Sequence, residues 1–283
     1  MSAQTSLPEG LHTRVLDAAR SARTPGAAVP ALEPIRPLEA FGRAADSLFG
    51  VLSELNDPQW RMPALRDLDV QGLVGHLIAV EVDMHRAFAG DPAVADADHI
   101  ASTQPRALEQ AGRAAGQTRL DWRRAINRTV VLAGQAPDKA PIAIHGLRMC
   151  LGDLLVVRAF ELWTHENDIR RAVGLAASAP DPQTLALMSA LAAHMLPHGV
   201  ARTGGLTSPL DLHLVLIGAG GGTWDLAMDG PAGKREAMTL VADVVDFCRL
   251  VANRLHPAEV HVEVDGVDRR TPILVGAASL ALD

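Results

Sequence analysis

The sequence predicts an α+β protein: a four-helix bundle at the N-terminal end, followed by a smaller α+β domain. Three observations carry this. Between residues 38 and 173, apolar side chains recur every three to four positions in four long stretches, which is the period of an amphipathic helix. After Gly204-Gly205 the pattern shortens and partly alternates, broken by glycine-rich and Asp-Gly turns. The length of 283 residues reaches the size at which single cores stop growing, roughly 250–300 residues, and chains divide.

The elements follow in order. Residues 1–37 hold a short amphipathic stretch at 11–22 and then Pro25, Pro30, Pro34 and Pro37, a spacing that forbids regular helix and predicts an arm. The bundle spans 38–180. Its first helix runs from 38 to about 55, with Leu38, Phe41, Ala45, Leu48 and Leu52 on one face, and a Pro-containing loop covers 56–68. Asp69 is the N-cap of a second helix, 70–88, whose stripe is Leu73, Leu77, Val80 and Met84. A third helix is expected over 105–131, a loop over 134–141, and a fourth helix over 151–173, stopped by Gly174. Asp181 begins a fifth helix that ends near Pro197. The second domain, 205–283, is expected to hold strands at 210–217, 223–228, 239–242 and 260–264. Helices are expected at 244–255, capped by Asp243, and at 273–282.

Composition narrows the function. A net charge of −7 and only four Trp, five Phe and no Tyr leave neither a basic face nor aromatic platforms for nucleic acid. The start lacks the basic and apolar regions of a signal peptide, and no uninterrupted apolar run reaches bilayer length. A soluble cytoplasmic protein without membrane or nucleic-acid partners is expected, monomeric or homodimeric. Cys150 and Cys248 lie far apart in hydrophobic stretches and read as small buried residues of a reducing compartment.

The fourth helix carries the chemistry. Arg158, Glu161, His165 and Asp168 are spaced three, four and three, which stacks them on one helical face. On the second helix, His76 falls between Leu73, Leu77 and Val80 and points into or beside the core. A carboxylate and a histidine four apart, joined by a histidine from a facing helix, is how metal sites in bundle cores are built. Two imidazoles and one carboxylate leave a fourth position open, as in catalytic sites. The set suits one divalent metal, zinc by preference, with iron or nickel also compatible. The competing reading is an incidental helical pair and a satisfied core histidine. Arg158 and Asp168 are candidate catalytic residues, orienting a ligand or binding an anionic substrate; a plain surface ion pair is the alternative.

Other patterns carry less. His194 and His198 are four apart, but Pro197 lies between them and no facing ligand is evident. Glu81 sits about 140° round the helix from His76 and is a candidate acceptor behind the site rather than a ligand. Gly218–Gly222 lacks the Lys-Ser/Thr of a phosphate loop and reads as a hairpin turn.

The segments Trp60…Asp67-Leu68-Asp69-Val70…Val74-Gly75-His76-Leu77…Glu81 and Arg158…Glu161-Leu-Trp-Thr-His165…Asp168 resemble the mycothiol-dependent maleylpyruvate isomerase family. The resemblance implies a DinB-like metal-binding bundle with His76, Glu161 and His165 as ligands. It also implies a sterol-carrier-like C-terminal domain, matched by Val244-Val-Asp-Phe-Cys-Arg249 and the ending Ala277–Asp283. The activity it implies uses mycothiol or a similar small thiol as cofactor. Thiolate adds to the double bond of maleylpyruvate, the bond rotates, and elimination leaves the trans product. The family also includes thiol transferases, so a small electrophilic substrate and a thiol cofactor are the expected partners. A non-catalytic metal-containing binding or regulatory protein is the opposing reading.

Overall fold

The computed structural model describes residues 32–282. Most of the expected arm, residues 1–31, lies outside the described residues. The fold is helical in its N-terminal region and sheet-containing in its C-terminal part.

Pro37 opens helix α1 (Pro37–Glu54), where its missing N–H costs nothing because the first turn leaves that donor unpaired anyway. The expected loop at 56–68 is more ordered than its prolines suggest. Asn56 and Gln59 form a reciprocal capping box around one helical turn, Asp57–Trp60. A small hairpin, β1 (Pro63–Leu65) with β2 (Leu68–Asp69), follows it. Helix α2 (Val70–Phe88) starts where expected, with the Asp69 side chain accepting from the Gly72 amide at 2.7 Å.

The single third helix expected over 105–131 is instead two: α3 (His99–Glu109) and α4 (Ala115–Gly134). Asp98 caps α3, accepting from the Ala101 amide at 2.8 Å, and the helix starts at His99, so Pro105 lies inside it rather than at its start. The break is held from the facing helix. Buried Gln71 of α2 donates to the carbonyls of Gln110 and Arg113 and to Thr118, satisfying a bend that periodicity alone does not reveal. A second hairpin, β3 (Pro141–Ile144) with β4 (Leu147–Cys150), turns through His145 and Gly146, both at positive φ.

Helix α5 (Leu151–Ala172) begins with an unusual cap, the Cys150 sulfur accepting from the Asp153 amide at 3.4 Å, so this half-buried cysteine is a helix start rather than core. Gly174, at φ 76°, ends the segment as expected. Helix α6 (Pro182–Thr203) is capped by Asp181 and runs through Pro197 to Gly204 instead of stopping at the proline. Packing overrides the lost hydrogen bond there. Gly199 lies so close to helix α8 (Arg270–Ala278) that an added Cβ would sit 2.3 Å from the Gly276 carbonyl oxygen. By length and composition α6 could cross a membrane, but half of its apolar window is buried as a core helix.

The sheet has the order β6-β5-β7-β8, built from β5 (Leu210–Ile217), β6 (Gly222–Met228), β7 (Glu236–Asp243) and β8 (Val262–Gly266). β5 pairs antiparallel with β6 and parallel with β7, and β8 closes the far edge antiparallel. Leu210, Leu212, Leu214 and Leu216 point inward and alternate with exposed Asp211 and Ile217 on the open face, the period of a half-buried sheet. Asp243 caps α7 (Val244–Val251) as expected, and α8 starts and ends earlier than the expected 273–282, the segment after it tied by the Leu282 amide to the Val251 carbonyl.

Two cores meet at α5. Its Leu155 and Leu162 pack with Phe41 and Leu48 of α1, Leu73 and Leu77 of α2 and Trp122 of α4. Its Val156, Phe160 and Trp163 pack against α6, the sheet, α7 and α8. A helix covered on both sides has no solvent face for a polar stripe, so its charged residues must be partnered in the interior.

Candidate functional site

His76 of α2 and Glu161 and His165 of α5 are 6, 4 and 3 % exposed, and one ligand atom from each lies within 4.8 Å of the others. The His76 Nε2 and Glu161 Oε1 atoms are 3.3 Å apart. Yet Glu161 Oε1 is buried without a hydrogen-bond partner among the described residues.

The surrounding hydrogen bonds explain why these atoms do not satisfy one another. Thr103 of α3 donates its hydroxyl proton to the His99 carbonyl at 2.8 Å, so its oxygen accepts from His76 Nδ1, 2.9 Å away. Asp168 accepts from His165 Nδ1 at 3.1 Å. Both imidazoles therefore hold an Nδ1 proton in a hydrogen bond, so that in the neutral ring Nε2 is the lone pair left for a ligand (the network assigns these tautomers). Two lone pairs and an orphaned carboxylate oxygen converging in a buried space suit a cation. Burial, with His165 and Arg158 nearby, pushes the His76 imidazole down to about 2, so it is neutral and available as a ligand.

The other two residues singled out in the sequence lie behind these three. Arg158, 2 % exposed, bridges two carboxylates: it pairs with Glu161 and donates to Glu81 Oε1 at 2.6 Å. It belongs to the interior and is no surface pair. Glu81 also accepts from Thr129. Asp168 accepts from Arg254, beyond α7, and from Arg171, besides His165. Burial works against its charge, but the hydrogen bonds from His165 and Arg254 outweigh it and hold the carboxyl well below its usual range. His194 and His198 are both exposed, and Gly218–Gly222 is the β5–β6 turn.

Four residues near the site escaped the sequence reading. Thr103 and His99 lie on the part of α3 that precedes Pro105. His99 Nε2 is 4.0 Å from Glu161 Oε1, its Nδ1 meets His145 Nδ1 at 2.9 Å, and His145 Nε2 reaches Asp83 at 3.0 Å. Burial, then His76 and His145, pushes the His99 imidazole down to about 3. Arg254 is the fourth. An Asp-His pair at 98–99 was the one available signal, since aspartate before a helical stretch marks an N-cap. Gly75 shows why α3 comes so near: a Cβ there would lie 2.7 Å from the Gln110 side chain and 3.0 Å from the Ala107 Cα.

A cavity of about 490 Å³ opens onto two of the three candidate ligands, His76 and His165, walled by Leu68, Leu73, Ile100 and Gln104 and rimmed by Arg66 and Asp67 of the β1–β2 turn. Glu161 faces a smaller cavity of about 230 Å³ together with His99 and Arg158.

Residues 41–170 match the family described as the mycothiol maleylpyruvate isomerase N-terminal domain. This part of the chain is similar to that family's domain. The segment contains His76, Thr103, Arg158, Glu161, His165 and Asp168. Two crystal structures are similar in fold. One is a mycothiol-dependent maleylpyruvate isomerase, 13 % identical with a TM-score of 0.56, covering 80 % of this chain and 91 % of that one. The other is a histidine-to-alanine mutant of such an isomerase, 14 % identical with a TM-score of 0.54 and the same coverage. No curated protein sequence matches. The match is therefore a family domain in the helical region and a shared fold over most of the chain.

Proposed function

We propose that this protein is a metal- and thiol-dependent enzyme of the maleylpyruvate isomerase type, an isomerase or thiol transferase that uses mycothiol or a closely similar thiol. The observation that carries the reading is that one ligand atom each of buried His76, Glu161 and His165 lies within 4.8 Å of the others beside an open cavity, with both imidazoles tied through Nδ1 to other partners. Those three side chains would hold one divalent metal, zinc by preference. When bound, the metal supplies the Lewis acidity that keeps a thiol as its thiolate at neutral pH.

The chain's own residues do the rest. Thr103 and Asp168 fix the two imidazoles with Nε2 inward, which removes the cost of orienting them at each binding event. Arg158 holds the Glu161 carboxylate from behind and balances its charge in the interior. The cavity is of small-molecule size, and Leu65, Leu68, Leu73 and Ile100 give it an apolar side. Arg66 at the rim offers a cation to an anionic electrophile such as an unsaturated oxo-dicarboxylate.

The test is made on purified full-length protein. One metal equivalent, and turnover of maleylpyruvate only when mycothiol is added, is the expected result. Metal with no thiol-linked turnover would favour the binding-protein reading. A metal-free native protein whose stability His165→Ala leaves unchanged would remove the site.

A further inference from the structure

A second cavity, of about 530 Å³, lies on another side of α5, between that helix, the 174–179 segment and α7 with its end. Its lining has three arginines, Arg171, Arg249 and Arg254, against a single carboxylate, Asp168. That carboxylate is already saturated: Arg254 and Arg171 donate to Oδ1, and Arg254 and His165 to Oδ2. The ion pair of Arg249 is with Asp246, at 3.6 Å between two well-exposed side chains, a contact of little strength. Positive charge therefore exceeds negative around the space.

A second observation is independent of charge. Thr164, 2 % exposed, lines the cavity, and its hydroxyl has no hydrogen-bond partner among the described residues. A helical threonine commonly donates to a carbonyl of the preceding turn. Leaving that donor buried and unpaired costs about 1–3 kcal/mol, which a ligand acceptor would recover. Trp163, Leu175, Val245 and Ala252 give the wall an apolar side, beside Asn167 and Ser178, which hydrogen-bond to each other.

We propose that this cavity is a binding site for a small organic anion, a carboxylate carried on an apolar body. The carboxylate takes the Thr164 hydroxyl and the arginine cluster, and the apolar body lies against the Trp163 side. The site is distinct from the cavity over the metal ligands, and it stands whether or not a metal binds there.

The experiment is calorimetric titration of the full-length protein with 1-naphthoate, in metal-loaded and metal-free forms. Saturable binding of one equivalent is expected in both. The neutral 1-naphthamide should bind about tenfold more weakly, the scale of a lost charge-assisted hydrogen bond. Arg249→Gln, an exposed change that leaves the fold intact, and Thr164→Val should each weaken naphthoate by about fivefold or more. His76→Ala, which removes a metal ligand but leaves Asp168, Arg254 and His165 in place, should still bind naphthoate saturably. Equal binding of naphthamide, loss of binding in His76→Ala or in the metal-free protein, or indifference to Arg249→Gln would each overturn the proposal. No saturable binding at millimolar naphthoate would overturn it as well, and every one of these outcomes leaves the metal reading untouched.

Discussion

Arg254 and Asp168 form a two-pronged ion pair, Nη2 to Oδ2 at 2.9 Å and Nε to Oδ1 at 3.1 Å. Asp168 is 1 % exposed and also accepts the Nδ1 proton of His165. An arginine beyond α7 thus fixes the carboxylate that fixes an imidazole of the candidate metal site. Carboxylates placed behind a metal-ligating histidine act on its tautomer, its orientation and its basicity together.

Asp168→Ala should therefore weaken metal binding by roughly 10–100-fold while leaving all three candidate ligands in place. Competition against a chromophoric chelator measures this directly. Unchanged affinity would mean that Asp168 serves packing alone.

Arg158 sits between two buried carboxylates, so removing it strands both. Arg158→Met should cost about 3–5 kcal/mol in urea unfolding, the scale for breaking a buried pair. Adding Glu81→Gln removes one stranded charge, and the double variant should recover part of the loss. Strictly additive losses would show that the bridge to Glu81 carries no coupling.

Two glycines make a contrasting pair. Gly199→Ala places a Cβ 2.3 Å from the Gly276 carbonyl oxygen and should destabilise by about 1–3 kcal/mol or more, because backbone must move. Gly42→Ala in α1 meets nothing within 4 Å and should stabilise by about 0.5–1 kcal/mol. Thermal unfolding of both variants gives the signs.

Asp181 caps α6, pairs with Arg43 and accepts from the Thr184 hydroxyl. Burial raises its carboxyl, but the Thr184 hydrogen bonds and Arg43 outweigh this, and its folded-state pKa lies below the ordinary aspartate value. Its contribution is then fully present above the unfolded pKa of about 4 and fades as pH falls through the lower folded value. Asp181→Ala should cost about 0.5–2 kcal/mol at neutral pH. The gap between wild type and variant should narrow as pH is lowered from 5 to 3. A gap independent of pH would assign the effect to packing.

The ends of α2 and α5 were legible because their signals are local: an Asp69 cap, unbroken apolar spacing and a Gly174 stop. The same locality put His76, Glu161 and His165 within reach, since two of them lie one turn apart. The start of α3 was hidden by Pro105, which local reasoning treats as a boundary and the packed helix tolerates. The bend after it depends on Gln71, about forty residues earlier in the chain. Thr103, His99, His145 and Arg254 reach the site only through such distant contacts, and nothing in their immediate neighbours announces them.

The grip of Arg254 on Asp168 also bears on how freely the two ends of this chain can change partners. Every candidate ligand lies within the matched segment 41–170, yet the residue steadying one of them lies far past its end. A recombinant that kept residues 41–170 but replaced the C-terminal part would inherit the ligands without their anchor. Metal affinity would then follow whichever C-terminal part was attached, and substitutions near residue 254 could retune chemistry carried out on the helices.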